Sequence, residues 1–409
     1  MRGRKFLFLL LLLIPIKVFS LDYPNLNSKV VEIYDLTDAK VLYEIKANEV
    51  NSIASLTKIA TAIVAIENIK NLDEKVTITS SMLNLVSREA HVAGLRAGNT
   101  VTYRDLLYAT LVTSGADAAT SLAIASSGSL SNHVDKMNEL AKKVGLVHTN
   151  FKNVVGLDED NQYSTADDVL KLLLYALNNH TFKEIYTTKK YTLTNGLVVN
   201  TTLKLYDKNG TVDTSFIIGS KTGFTNKAGY CLAYLIDVNG HNMLIITLNA
   251  NRIGNTYNSL IDANTLVKFL KNNYKEEILV EKGKLIKILP VELSNIDNYE
   301  IKATNEVTKY LPSDFDIKDL KIVYEGKEEL NFRDDLQDKI GEVSYYYQNK
   351  LLLKEDVILN EEISINILKV IKRYYLVLIS VFIIIICSVI YYHRKHTYKH
   401  KSHKIQNAI

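Results

Sequence analysis

The stretch Ala54-Ser55-Leu56-Thr57-Lys58 and the apolar run after it, from Ile59 to Ile69, organise this chain. The run is apolar on almost every side, which predicts a helix buried within a domain rather than one on its surface. Ser55 and Lys58 are three residues apart, so one helical turn brings the hydroxyl and the ammonium onto the same face. A buried lysine that has lost its proton can be the base that activates a serine nucleophile. Because Ser-x-x-Lys also arises by chance in long chains, the catalytic interpretation needs support elsewhere in the sequence.

Length and composition limit the class of protein. With 409 residues the chain is long enough for two or three domains, and its net charge of +4 gives no indication of a nucleic-acid partner. Only two cysteines occur, Cys231 and Cys387, and the second falls within a predicted membrane span. A disulfide framework is therefore excluded.

The first 20 residues have the layout of a secretory signal peptide. A basic start (Arg2, Arg4 and Lys5) precedes an apolar stretch from Phe6 to Ile16, and Val18-Phe19-Ser20 offers a cleavage signal. The apolar stretch is too short to span a bilayer, which disfavours the alternative of a retained membrane anchor. We therefore expect residues 1–20 to direct export and to be removed.

The C-terminal region carries a second address. Residues Tyr374 to Tyr392 include no charge and approach the ~20 residues that cross a bilayer, with tyrosines at both ends as interfacial anchors. The tail after this span, residues 393–409, is basic and is expected in the cytoplasm. Because Lys369, Lys372 and Arg373 precede the span, the charge bias is two-sided and the signal peptide decides the orientation. The prediction is a single-pass membrane protein with its body outside the cell.

The order of elements in residues 21–273 predicts an α+β fold. Strand-like runs occur at its two ends, at Lys29–Tyr34, Lys40–Ile45, Phe216–Lys221, Tyr230–Asp237 and Met243–Leu248. Helical segments fill the middle and close the region, at Leu106–Val112, Ala116–Ala125, Leu130–Val144, Ala166–Asn178 and Thr256–Leu270. A capping box, Thr102 with Asp105, opens the first of these helices, and Asn239-Gly240 is a strong hairpin signal. We expect an antiparallel sheet closed by both ends of the region, with an inserted helical lobe.

Residues 274–366 have a different texture and predict a small all-β domain. Short segments alternate apolar and charged residues, as half-exposed strands do, at Leu285–Leu293, Tyr299–Lys309, Leu320–Tyr324 and Glu342–Leu353. The segment Glu328–Asn331 is interpreted as a turn, and no residue of this region has a catalytic pattern.

Two further motifs support the catalytic interpretation of Ser55. Ser114-Gly115 lies at a helix junction, where the hydroxyl could reach a cleft between the lobes. Lys221-Thr222-Gly223 ends a predicted strand before Phe224, and the small Gly223 would let a substrate backbone lie along the strand edge. Taken singly, Ser114 is equally a helix cap and Lys-Thr-Gly a common tripeptide. The three motifs in this order match the set found in penicillin-binding proteins and class A β-lactamases.

On these residues the chain resembles the low-molecular-mass penicillin-binding D-alanyl-D-alanine carboxypeptidases, from about residue 21 to residue 364. The matching segments are Ala54–Lys58, Leu106–Ala119, Met137-Asn138, Gly156–Asp158, Tyr163–Asp167, Lys221–Thr225 and Ala228-Gly229. The resemblance implies a serine DD-peptidase/β-lactamase-like domain, followed by a β-rich domain that lifts the site off a bacterial membrane. Such enzymes usually hold the membrane with an amphipathic helix, whereas this chain is expected to have a true span.

The resemblance also implies roles for the acyl-transfer groups. Ser55 would attack the peptide bond between two D-alanines and form an acyl-enzyme, and Lys58 would take its proton. The pKa of Lys58 would be lowered by burial and by the charge of Lys221. The backbone N–H groups of Ser55 and Phe224 would form the oxyanion hole.

The remaining roles concern the leaving D-alanine and the bound ligands. Ser114 would pass a proton to the departing amine, and Lys221 with Thr222 would hold the terminal carboxylate. The implied partners are peptidoglycan stem peptides as substrates and β-lactam antibiotics as covalent inhibitors. No metal, nucleotide or other cofactor is expected, although the tail histidines offer a metal-binding alternative to a simple solvated tail, at His393, His396, His400 and His403.

One departure from the family pattern leaves alternatives open. The family has asparagine two positions after this serine, where its amide binds the substrate backbone, and here Ala116 stands instead. This substitution favours, as the alternative, a weak or non-catalytic wall-binding relative. A β-lactamase is the other alternative, but none of Glu139, Glu159 and Glu184 lies in the Glu-x-x-Leu-Asn setting that class A lactamases use to position water.

Overall fold

The computed structural model describes residues 24–206, 210, 212–253 and 256–406, so the predicted signal peptide lies outside the described residues. They divide into two units, one ending at Lys275 and the other starting at Glu276. The strands of the first unit are β1 (Ser28–Asp35), β2 (Lys40–Ile45), β3 (Lys75–Thr77), β4 (Thr100–Thr102), β5 (Lys190–Thr192), β6 (Val198–Asn200), β7 (Ile217–Thr225), β8 (Gly229–Val238), β9 (His241–Ala250), β10 (Arg252–Ile253) and β11 (Thr256–Tyr257).

Strands from both ends of this unit form one sheet, in the order β2-β1-β9-β8-β7, as predicted. All four neighbouring pairs are antiparallel. The turn between β8 and β9 has positive φ at Asn239 and Gly240, the conformation that an Asn-Gly hairpin favours. The β1–β9 pairing joins the two ends of the region and thereby closes the sheet around the helical insertion.

Helices make up most of the insertion. They are α1 (Lys58–Asn68), α2 (Ser80–Leu83), α3 (Tyr103–Leu111), α4 (Ala116–Ser127), α5 (Leu130–Val144), α6 (Ala166–Leu177), α7 (His180–Thr187), α8 (Leu203–Tyr206) and, after the sheet, α9 (Asn258–Asn273). Residues 58–66 of α1 are all buried, which confirms the helix surrounded on every side. The predicted capping box is present, with the Thr102 hydroxyl and the Asp105 carboxylate each bonded to the other's N–H. It opens α3 at Tyr103, earlier than predicted.

Two local differences from the sequence prediction bear on the site. Residues Ala54–Thr57 form a 3₁₀ turn and α1 begins only at Lys58, so Ser55 lies on a tight turn before the α-helix. Strand β7 continues to Thr225, which places Lys221-Thr222-Gly223 within the strand rather than at its end. The antiparallel partner β8 supports this extension, since Gly223 pairs with Cys231 and Thr225 with Gly229.

The second unit is rich in strands. They are β12 (Tyr274–Val280, across the boundary), β13 (Leu285–Glu292), β14 (Asn298–Lys302), β15 (Val307–Pro312), β16 (Leu320–Gly326), β17 (Leu330–Asn331), β18 (Lys339–Tyr347) and β19 (Lys350–Ile358). Their sheets are β12-β15, β14-β13-β17 and β16-β18-β19. Separate apolar clusters centred on Tyr345 and on Leu289 form the core of this unit.

Three sequence predictions for this unit were wrong. The runs Tyr299–Lys309 and Glu342–Leu353 each contain two strands, β14 with β15 and β18 with β19. The second break is a two-residue turn at Gln348-Asn349, where both residues have positive φ, and a Gln-Asn pair gives a weaker signal than Asn-Gly. The segment Glu328–Asn331 is not only a turn, because Leu330 and Asn331 pair in parallel with β13.

The chain continues into a long helix, α10 (Ile367–Gln406). Its part from Ile367 to Lys395 is long and apolar enough to span a membrane and includes the predicted span. Two ion pairs join the start of α10 to the β-rich part of the same unit. Lys369 Nζ lies 2.7 Å from Asp297 Oδ1, and Arg373 Nη1 lies 2.9 Å from Glu292 Oε1.

Candidate active site

Ser55 and Lys58 lie together at the start of α1, as their spacing predicts. Lys58 Nζ donates to Ser55 Oγ at 2.9 Å and to the Val155 carbonyl oxygen at 2.9 Å. The Lys58 side chain is buried by the apolar packing that surrounds α1. The geometry therefore holds an amine within proton-transfer distance of a hydroxyl.

Burial lowers the pKa of Lys58 from the ordinary value to about 7, while the negative charge of Asp117 acts in the opposite direction. The sequence predicts burial and the charge of Lys221 as the causes of this lowered pKa. In the structure the influence runs mainly the other way. Burial first and the charge of Lys58 second lower the pKa of Lys221 well below its usual range. Both lysines are buried, and burial disfavours their charged forms. Near neutral pH Lys58 can therefore accept a proton.

Ser114 occupies a strained turn that presents its hydroxyl to Lys221. Its φ is 62°, in the left-handed region that few residues other than glycine adopt. Lys221 Nζ donates to Ser114 Oγ at 2.7 Å and to the Thr222 carbonyl oxygen at 2.7 Å. The N-cap of α4 is Gly115, without a side-chain cap bond, so the helix-cap reading of Ser114 is wrong. Lys221 is buried behind Ser114 rather than facing the open cleft.

A cavity of about 470 Å³ opens over these groups. The predicted site residues that line it are Ser55, Lys58, Ser114, Thr222, Gly223 and Phe224. A larger cavity, of about 590 Å³, lies in the second unit but is lined by strand residues without a serine–lysine pair. The cavity over Ser55 is lined by the bonded Ser55–Lys58 pair, which has the chemistry that acyl transfer requires.

Two glycines allow the backbone segments around Ser55 to approach closely. A Cβ on Gly223 would lie 3.0 Å from the Ser55 backbone nitrogen, so this glycine lets β7 pack against the Ser55 turn. A Cβ on Gly156 would lie 1.9 Å from the Ala54 carbonyl oxygen, and the φ of Gly156 is +85°. Close packing against the Ser55 turn therefore requires glycine at position 223. This reason is separate from the sequence-based one, which was space for a substrate backbone along the strand edge.

Phe224 and Thr225 continue the edge of the site along β7. The Phe224 ring is 46 % exposed and stacks on Tyr230 with a centroid distance of 4.3 Å. Thr225 Oγ1 donates to Asp158 Oδ1 at 2.9 Å. An apolar surface thus flanks the backbone N–H group of Phe224.

Sequence reasoning gave Asp117 no role beyond its match to the family. Its carboxylate accepts backbone N–H bonds from Ala93, Gly94 and Leu95 at 2.7–2.9 Å. Asp117 therefore holds the segment before α3 against the start of α4, beside Ser114. No local pattern predicts this role, since the segment that Asp117 holds lies more than 20 residues away.

Two other cleft residues were missed. Thr202 Oγ1 lies 2.5 Å from Thr222 Oγ1, and either hydroxyl can donate. His91 lines the cavity, and the charges of Lys58 and Lys221, after burial, lower its pKa. Neither residue belongs to a motif, and each comes from a polar stretch that the sequence describes only as loop.

Away from the cavity over Ser55, one cluster of side chains in the described part of the chain could ligate a metal ion. Asp35, Asp38 and His241 bring ligand atoms within 4.8 Å of one another. Turn formation accounts for the cluster, because Asp35 accepts the N–H groups of Thr37 and Asp38 and Lys40 pairs with Asp38 at 3.0 Å. The cluster belongs to strand ends of the sheet and includes none of the residues that line the cavity over Ser55.

Comparison with known proteins gives a consistent result. The family model described as D-alanyl-D-alanine carboxypeptidase, peptidase S11, matches residues 17–252. The D-alanyl-D-alanine carboxypeptidase of Streptomyces sp. (strain K15) is 34 % identical over 224 residues, which cover 52 % of this chain and 77 % of that protein. The D-alanyl-D-alanine carboxypeptidase DacC of Escherichia coli (strain K12) is 34 % identical over 222 residues. The match covers 52 % of this chain and 54 % of DacC.

Solved structures support the fold over a longer stretch. Penicillin binding protein 5 from Haemophilus influenzae aligns with a TM-score of 0.65 and 24 % identity, covering 84 % of this chain and all of that one. At this identity the likeness concerns the fold alone. Both structures combine helices and strands, as the sequence of this chain predicts.

Proposed function

We propose, since this chain belongs to the D-alanyl-D-alanine carboxypeptidase family, that it is a serine-type carboxypeptidase that removes the terminal D-alanine from peptidoglycan pentapeptide stems. The observation that carries the proposal is the 2.9 Å contact between Ser55 Oγ and Lys58 Nζ. Burial lowers the pKa of this lysine to about 7, which makes it a base at neutral pH. A hydroxyl beside a neutral amine is an activated nucleophile.

Acylation proceeds on Ser55. Lys58 removes the hydroxyl proton as Ser55 Oγ attacks the carbonyl carbon between the two D-alanines. The backbone N–H groups of Ser55 and Phe224 stabilise the oxyanion, and the close approach of Gly223 to the Ser55 nitrogen supports that pairing. The tetrahedral intermediate then collapses to an ester on Ser55.

Departure of D-alanine depends on the second serine–lysine pair. Ser114 delivers a proton to the leaving amine, and Lys221, bonded to Ser114 at 2.7 Å, replaces it. The substrate carboxylate binds the Thr222 hydroxyl and favours the protonated form of Lys221 by its negative charge. Lys221 thus acts mainly through Ser114, because its ammonium lies behind that hydroxyl. Water then hydrolyses the ester: its hydroxyl joins the acyl carbon and its proton returns to Ser55 Oγ. The proton that Lys58 took from Ser55 replaces the one that Lys221 gave, so both lysines return to their starting states.

Ala116 favours a second candidate, a wall-binding protein with little catalysis. Ala116 is almost fully buried and lines a neighbouring cavity of about 670 Å³ beside Val155 and Leu157. An asparagine there would have room for its amide. Loss of one amide contact weakens substrate binding by ~1–3 kcal/mol without removing the nucleophile. We therefore propose slow but real catalysis.

The deciding experiment measures release of D-alanine from a D-Ala-D-Ala pentapeptide by the full chain in detergent. The unmodified protein is expected to release D-alanine, Ser55→Ala to release none, and Ala116→Asn to release it faster. If the unmodified protein binds muropeptides but releases no more D-alanine than Ser55→Ala does, the wall-binding function replaces ours.

A labelled penicillin separates the carboxypeptidase from a β-lactamase. Of the glutamates between Ser114 and Lys221, none lines the cavity over Ser55 in the described structure; Glu89, on its rim, is exposed. We expect the penicilloyl group to remain on Ser55 because none of Glu139, Glu159 and Glu184 lines the cavity where it could position water against the ester. Rapid hydrolysis of penicillin over many turnovers would contradict this.

We also propose that α10 anchors the protein in a bacterial cell membrane, with the first unit outside the cell and residues 276–366 as a β-rich spacer. Lys369 and Arg373, two of the three basic residues before the span, are paired with Asp297 and Glu292. The basic residues on both sides of the span leave the orientation to the predicted signal peptide, which exports the body. Protease added to intact cells should remove the body and spare a tail epitope. Digestion of the epitope without lysis would reverse the orientation.

A further inference from the structure

His91 lies on the rim of the cavity over Ser55, on the side of the helical lobe. Two contacts fix its place. The Ala116 N–H donates to the His91 carbonyl oxygen at 2.8 Å, and the next residues of the segment, Ala93 and Gly94, are bonded to the Asp117 carboxylate. The side chain remains accessible to solvent and so to a ligand.

The lobe side of the cavity offers few polar partners. Val155, Gly156 and Leu157 line it with apolar side chains or none. Ala116, the first residue of α4, is buried, lines the neighbouring cavity instead and carries only a methyl group. Ser114 is already bonded to Lys221. Glu89 lies on the same rim, but its negative charge repels a ligand that ends in a carboxylate.

The charges around His91 favour the neutral imidazole. Partial burial, Lys58 and Lys221 lower its pKa, while Asp117 and the Thr113 backbone act in the opposite direction. A neutral imidazole has one nitrogen that donates and one that accepts, which suits the N–H and C=O groups of a peptide.

We propose that His91 is a substrate-positioning residue whose imidazole hydrogen-bonds the backbone of the stem peptide opposite β7, where Val155, Gly156 and Leu157 line the cavity without a polar side chain. This inference rests on the proposed carboxypeptidase function. Its role is to hold the peptide while Ser55 attacks, not to transfer a proton.

The test uses the full chain in detergent and steady-state release of D-alanine from a D-Ala-D-Ala pentapeptide at about pH 8, where Lys58 is mostly neutral. Loss of one uncharged hydrogen bond in His91→Ala is expected to raise KM about three- to tenfold and to change kcat less than about twofold. His91→Asn keeps a hydrogen-bond donor and an acceptor, so its KM is expected to lie close to that of the unmodified protein. Val92→Ala, on the same segment but not lining the cavity, is the matched control and should behave as the unmodified protein does.

The outcomes are distinct. An unchanged KM in His91→Ala, or an equal loss in His91→Ala, His91→Asn and Val92→Ala, overturns the inference while leaving the carboxypeptidase function in place. If the unmodified protein releases no more D-alanine than Ser55→Ala, the proposed function has failed and the inference fails with it. Thermal unfolding of His91→Ala at the unmodified temperature, together with the raised KM, supports positioning over a structural role.

Discussion

Two lysines of the first unit and two of the second are held in opposite ways. In the first unit Lys58 and Lys221 are buried together, and burial is the main reason that the pKa of each is lowered. In the second unit Glu342 pairs with Lys339 and Lys354 on the surface, and hydrogen bonds from these lysines lower its pKa to about 2. Burial disfavours the charged form, whereas surface pairing favours it.

This difference determines which lysines can act as a base at neutral pH. A lysine that stays charged, such as Lys354, cannot accept a proton at neutral pH and adds little stability in an exposed pair. A lysine that is forced toward neutrality costs stability but becomes a base. Among the described lysines of the first unit, burial lowers the pKa only of Lys58 and Lys221.

The largest expected contrast compares two lysines. Lys58→Ala should lower kcat/KM for D-alanine release by at least about a thousandfold, because it removes the base beside Ser55. Lys354→Ala should leave kcat/KM unchanged. Steady-state kinetics of the two purified variants decide the matter, and a Lys58→Ala enzyme with a tenth of normal activity would remove Lys58 from the mechanism.

The next contrast compares two glycines with nearly the same backbone conformation. Gly156 and Gly283 have φ values of +85° and +86°, but a Cβ would strike the Ala54 carbonyl only at Gly156, whereas Gly283 faces open space. Gly156→Ala should cost about 4 kcal/mol of unfolding free energy and disturb the Ser55 turn, and Gly283→Ala about 1 kcal/mol from left-handed strain alone. Denaturant unfolding measures both, and equal losses would mean that strain rather than the clash dominates.

A smaller effect is expected at Asp117. Asp117→Ala leaves three backbone N–H groups without their carboxylate and should lower the free energy of unfolding of the first unit by about 3 kcal/mol. Faster hydrogen exchange is expected at Ala93, Gly94 and Leu95. Glu342→Gln in the second unit is the control, with no measurable change in stability expected. Unaltered exchange at Ala93 in Asp117→Ala would show that other contacts hold the segment.

The smallest expected effect is a pH dependence. Below its pKa of about 7, Lys58 is increasingly protonated and cannot accept the Ser55 proton, so kcat/KM should fall about tenfold for each pH unit on the acid side and level off above. Acylation of Ser55 by penicillin should follow the same curve. A rate that stays constant down to about pH 5 would mean that another group is the base.

Local signals carried much of this architecture. The apolar run after Ser55 predicted the buried helix, Asn239-Gly240 predicted the hairpin, and Thr102 with Asp105 predicted the capping box. Each of these features depends on residues only a few positions apart. The same local signals failed at Gln348-Asn349, where the turn uses residues with a weak preference for positive φ.

By itself, the sequence determined that Ser55 and Lys58 share a face and that the two ends of the first unit build one sheet. Only the tertiary structure decided that Lys221 reaches Ser114 across 107 positions, that His91 lies on the rim of the cleft, and that burial brings the pKa of Lys58 to about 7. Helical spacing is fixed by backbone geometry within one turn. Desolvation and contacts between distant segments depend instead on how the lobe and the sheet pack around the site, which no short pattern encodes.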